Sequence, residues 1–147
     1  VARFLSRYLP LVAWLVFISY ASSDSFNAGN TSRIIGPLVL WLFPNTTPET
    51  LLGIHIITRK AAHFTEYAVL AYLAARAFRT SPRPALANRW FIAALALVVA
   101  YALLDEYHQT FVPSRTGSVY DSFIDIAGGL MALLIIRHRH NRARCFN

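Results

Sequence analysis

Asp105, Glu106, His108 and Gln109 crowd into five residues at the end of an almost unbroken apolar run, in the stretch LLDEYHQTFVPSR. Lys60, His63 and Glu66 stand together inside RKAAHFTEYAVLAYLAARAFR, and Asp121 and Asp125 open the last apolar segment. These residue types transfer protons and hold anions. His63 or His108 could serve as general base or acid, with Glu66 or Asp105 orienting the ring and raising its basicity. Lys60 and Arg115 could grip a phosphate-like group, the arginine through two parallel N–H bonds. Glu106, Gln109, Asp121 and Asp125 complete the expected binding set, the two aspartates setting the cations in place.

The surrounding elements decide what such groups mean. Of 147 residues, 56% are hydrophobic and only 14% charged, with a mean hydropathy of +0.43. That balance points to a membrane protein with a single domain and no internal repeat. The net charge of +7 is carried by arginines placed between apolar runs, not on one soluble face, which argues against a nucleic-acid partner. Four apolar segments stand out: Phe4–Ala21, Ala61–Phe78, Trp90–Leu104 and Val119–Ile136. Arg3 and Arg7 precede the first, Arg76, Arg79, Arg83 and Arg89 cluster between the second and third, and Arg137, Arg139, Arg142 and Arg144 follow the fourth. By the positive-inside rule, both termini and Thr80–Asn88 are cytoplasmic and Gly117 is outside. The expected fold is therefore all-α, an integral membrane bundle of four transmembrane helices. Its embedded core covers about residues 4–137, and a basic cytoplasmic tail covers 138–147. The first segment also has the make-up of a signal peptide, an alternative that leaves the sidedness of the other three unchanged. Cys145 is the only cysteine, so no internal disulfide forms.

The first outer connection is too long for a plain loop. RIIGPLVLWLFP (Arg33–Pro44) holds about ten apolar residues, too few to span a bilayer. It is expected as a short interfacial or re-entrant segment, interrupted at Pro37 and closed at Pro44. Thr47 as N-cap and Pro48 as first helical residue then begin the second helix above the membrane.

Length places the charged groups at membrane depth. After Glu66 only Tyr67–Ala75 are uncharged before Arg76, a rise of about 13 Å against a hydrocarbon core of about 30 Å. The helix must take in Lys60, His63 and Glu66 to cross, and the fourth must take in Asp121 and Asp125. Charged groups there cost roughly 2.5–3.5 kcal/mol each and face a bundle interior or a wet cavity. Counting up from the arginine rims puts His63, Asp105 and Asp121 about 24 Å above them and Glu66 and Asp125 about 18–20 Å. The expectation is a two-tiered polar chamber open to the outer face. Asp24, at the outer end of the first helix, is a further candidate lining residue, and Gly128 and Gly129 are expected to permit close helix contact.

At these residues the chain resembles the VanZ-like family of bacterial membrane proteins. The likeness rests on RKAAHFTEYAVLAYLAARAFR, DEYHQTFVPSRTGSVYD and DSFIDIAGG, and runs from about Ala21 to Ile136. The resemblance implies an inner-membrane, multi-helix protein whose founding relative is associated with resistance to teicoplanin; it implies no mechanism. Its motif positions fall on Lys60, His63, Glu66, Asp105, Glu106, His108, Gln109, Arg115, Asp121 and Asp125.

Four readings follow. The first is an outer-leaflet enzyme acting on polyprenyl-phosphate-linked wall precursors or phospholipid head groups. The second is a binding or transport protein for such anionic lipids or for a glycopeptide's lipid tail. The third is a zinc or manganese centre. It ranks lower because the two histidines lie on different helices without an H-x-x-x-H pairing, so no metal ligand and no resident cofactor is expected. The fourth is a set of buried pairs acting only as glue between helices. Membrane lipids are the expected partners in each.

Overall fold

The computed structural model describes residues 2–23, 28–111 and 119–145, and among them every regular element is a helix. In chain order these are α1 (Ala2–Ala21), α2 (Ala28–Leu42), α3 (Pro48–Arg79), α4 (Pro84–Asn88), α5 (Trp90–Gln109) and α6 (Val119–Cys145). Asp24, Arg115 and Gly117 lie outside the described residues. The start of α3 follows the sequence signal: the Thr47 hydroxyl accepts from the Thr50 amide at 3.3 Å, and Pro48 occupies the first turn where its missing N–H costs nothing.

α3 is the organising helix. Its 32 residues rise about 48 Å, and it packs against α1, α2, α4, α5 and α6. The interior is built largely from small residues. Ala71, Ala74, Ala75 and Ala77 of α3 meet Ala94, Val98 and Ala102 of α5, with Tyr67, Leu70 and Leu133 as the larger buried members. Small side chains let backbones approach closely where dispersion, not water exclusion, drives helix association. The closest approach is at Gly128 of α6, where a Cβ would run into the Phe64 carbonyl of α3; at Gly129 it would stand 2.6 Å from a Val98 methyl of α5. These glycines hold α6 against both neighbours. By contrast, α1 turns Phe4, Leu9, Val12, Val16 and Phe17 outward, as a lipid-facing helix does.

Two expectations change. Pro37 does not interrupt the outer segment: α2 is continuous from Ala28 to Leu42 with Pro37 inside it. Proline removes one helical hydrogen bond, and the packing of α2 on α3 offsets that loss, as tertiary contact generally outweighs local propensity. The helices also outrun the apolar segments that announce them, α5 through His108 and Gln109 and α6 through the basic tail to Cys145. Glu, Gln, Lys and Arg are good helix formers, so polarity ends the apolar run without ending the helix. The connection between α3 and α5 itself contains the short α4.

Among the described residues, two helices are long and apolar enough by themselves to cross a membrane, α1 over Arg3–Ala21 and α5 over Trp90–Gln109. α3 and α6 are longer still, but Lys60, His63, Glu66, Asp121 and Asp125 interrupt their apolar character. Those same residues build the site.

Candidate functional site

Helical spacing gathers the polar groups at one end of the bundle. Lys60, His63 and Tyr67 recur along one stripe of α3, with Glu66 beside it, and Asp121 and Asp125 are one turn apart on α6. Gly128 fixes the register by seating α6 on Phe64; α3 and α6 run parallel, so counting back from that contact along both helices brings Asp125 opposite His63 and Asp121 opposite Lys60. The Lys60 ammonium donates to Asp121 Oδ1 at 2.6 Å, and both side chains are a little over two-fifths exposed, at 44% and 42%. Deeper in, His63 Nδ1 stands 3.7 Å from Glu66 Oε2 and 3.8 Å from Asp125 Oδ1. The sequence-based depths pair His63 with Asp121; the structure instead gives Asp121 to Lys60 in the outer tier and Asp125 to His63 below. A one-turn offset between tilted helices is enough to make that exchange.

α5 supplies the third wall. Asp105 is 6% exposed and Asp125 3%. The Asp105 carboxylate accepts from the Ser22 hydroxyl of α1's C-terminal end at 2.8 Å and from the Gln109 amide, one turn along α5, at 3.2 Å. Glu106 and Gln109 are buried beside it. His63, Asp105 and Asp125 each present a donor atom, all within 4.8 Å of one another. An imidazole among carboxylates in this arrangement can exchange protons or share a cation with them. Further bonds tie α1 into place: the Trp14 indole donates to the Glu66 carbonyl at 2.9 Å, and the Tyr101 hydroxyl of α5 donates to the Leu15 carbonyl.

The structure thus brings together Lys60, His63, Glu66, Asp105, Gln109, Asp121 and Asp125, with Glu106 buried alongside. His108 is exposed on α5 and does not join them; Arg115 falls outside the described residues. Sequence reasoning missed Ser22, Ser122 and Arg59. Ser22 carried a usable signal, a small polar residue closing an apolar helix at the level of the acids. A cavity of about 170 Å³ opens onto the cluster, lined by Ile56, Arg59, Lys60, His63, Asp121, Ile124 and Asp125.

Fold and site together define an all-α membrane protein whose interior charges converge from three helices, α3, α5 and α6. A family model described as VanZ/LLP1 matches residues 7–140. The chain belongs to that family. Comparison with curated proteins and with solved structures gives no match.

Proposed function

We propose that the protein crosses the bacterial inner membrane four times, with both termini in the cytoplasm, and binds the phosphate-bearing head group of an envelope lipid in a chamber open to the outer leaflet. α1, α3, α5 and α6 are the spans and α2 lies at the outer interface. The cavity beside Lys60 carries this reading. Its rim holds two cations, Arg59 and Lys60, its walls include Ile56 and Ile124, and its floor is His63 with Asp125. Cationic rim and apolar wall suit a molecule that is charged at one end and greasy at the other. A link to glycopeptide resistance belongs to the same proposal, through lipid-linked wall precursors that such a chamber would engage.

Sidedness is tested by cysteine labelling in a Cys145→Ser background. With an impermeant reagent on intact cells, Asn45→Cys in the outer connection is expected to label and Ser81→Cys in the inner turn is not. Labelling at Ser81→Cys would overturn the arrangement. Binding is tested with purified protein and two lipids of equal chain length, a polyprenyl phosphate and its uncharged alcohol. A preference of about tenfold or more for the phosphate is expected, corresponding to roughly 1.4 kcal/mol. Lys60→Met should remove most of it. The same substitution should move stability by no more than about 1 kcal/mol, because a half-exposed ion pair contributes little. Equal retention of alcohol and phosphate would sink the reading.

A further inference from the structure

We propose that His63, Glu66, Asp105 and Asp125 form a binding site for one divalent transition-metal ion of the zinc or manganese class, at the floor of the chamber. Its use rests on the lipid reading above; the site itself is testable without it.

The donor set is one imidazole and three carboxylates from α3, α5 and α6. Nitrogen with carboxylate oxygen suits zinc or manganese better than calcium or magnesium, which take oxygen alone. Tetrahedral donors at zinc distances lie about 3.3 Å apart. The His63, Asp105 and Asp125 donor atoms stand within 4.8 Å of one another and Glu66 Oε2 lies 3.7 Å from His63 Nδ1, so small side-chain rotations reach that spacing, with the helices already fixed by Gly128 and Gly129. The histidine pairing that sequence motifs look for is absent, but the ligands come from three helices, a pattern no local spacing reveals.

Two features beyond the cluster point to an ion. Both hydrogen bonds to Asp105, from Ser22 and from Gln109, fall on the same oxygen, Oδ2. They orient the carboxylate and leave Oδ1 for another partner, as the supporting residues of metal ligands commonly do. Ser122 lies on the buried side of α6, one turn before Asp125. It is 2% exposed, and its hydroxyl has no hydrogen-bond partner among the described residues. A water carried by the ion is a natural partner for it.

Charge supplies the functional reason. Asp105 and Asp125 are nearly sealed from solvent, Glu66 faces the same ring, and Lys60 is already engaged by Asp121. Converging carboxylates of this kind repel one another and would repel a lipid phosphate. A bound dication reverses the local sign and can take a phosphate oxygen as a further ligand. The acidic floor and the anionic ligand are then compatible.

The test uses the full chain in detergent, stripped with a chelator and titrated separately with zinc and manganese chlorides. One ion per chain is expected from elemental analysis after desalting. At hundredfold excess over Kd the melting temperature should rise by about 5–10 °C. His63→Gln and Asp125→Asn should each abolish retention and the thermal shift, and Ser22→Ala should weaken binding by about 10–100-fold. A variant with His138 and His140 both changed to alanine should keep the ion. Melting without metal confirms that each variant is folded. Failure to retain either metal, or undiminished retention in both His63→Gln and Asp125→Asn, overturns the proposal. The two readings fail separately. Metal retention without preference for the phosphate lipid removes the lipid reading alone, and lipid preference in a protein that takes no metal removes this one alone.

Discussion

Gly128→Val is expected to destabilise the protein by about 3 kcal/mol or more, at the upper end of overpacking penalties. Gly53→Ala should instead stabilise it by about 0.4–1 kcal/mol. Both glycines are helical, so propensity alone predicts a gain at each. What differs is the space around them. A Cβ at position 53 meets nothing within 4 Å, whereas at position 128 it meets the Phe64 backbone. Backbone cannot rotate aside as a side chain can, so α6 must withdraw from α3. Withdrawal would also part Asp125 from His63 and Asp121 from Lys60, so the proposed lipid and metal binding should fall with the fold. Thermal melting of both variants in the same detergent checks this, with a fall of about 6–12 °C expected for Gly128→Val in a chain of this size. A Gly128→Val protein that melts with the wild type would mean that α3 and α6 do not pack as described.

The close contact at Gly128 also shows where the sequence is informative. DSFIDIAGG could be read as a helix with two aspartates one turn apart and a small-residue contact below them, because 3.6-residue periodicity is a local property. The placement of charges inside the bundle was equally legible. Nine uncharged residues after Glu66 cannot cross a bilayer, so Lys60, His63 and Glu66 had to be included. Which helix faces which was not legible. Asp121 and Asp125 differ by one turn, and only the register set at Gly128 decides that the first meets Lys60 and the second His63. His108 illustrates the same limit: its type suggested catalysis, yet its position on α5 points it out of the cluster while Asp105 and Gln109 turn in. Ser22 was visible as a small polar residue closing an apolar helix, but its partner, more than eighty residues away, was not. The continuity of α2 through Pro37 is a tertiary effect that a local rule for proline cannot anticipate.

Asp125→Asn is expected to make the metal-free protein more stable, by roughly 1–2 kcal/mol, while abolishing the proposed metal binding and lipid discrimination. The sign is the informative part. If the buried charges are only glue, Asp125 is the partner of His63, and removing its charge should cost stability, as breaking a buried pair does. If the cluster is a ligand site, Asp125 is one of several carboxylates drawn together against their mutual repulsion, and neutralising one relieves that strain. Residues held for function at the expense of stability behave in the second way. The geometry favours it: the Asp125–His63 separation of 3.8 Å is longer than a hydrogen bond, so this contact gains little of the strength of a tight ion pair. Asparagine preserves shape and volume, so packing at Ser122 and Gly128 is undisturbed and the charge is what changes. Melting is measured after chelation, to remove any ion, and again with zinc added. A higher melting point than wild type without metal, with no rise on adding zinc, is the expected pair of results. A lower melting point without metal, with lipid discrimination kept by the surviving folded fraction, would assign Asp125 to glue.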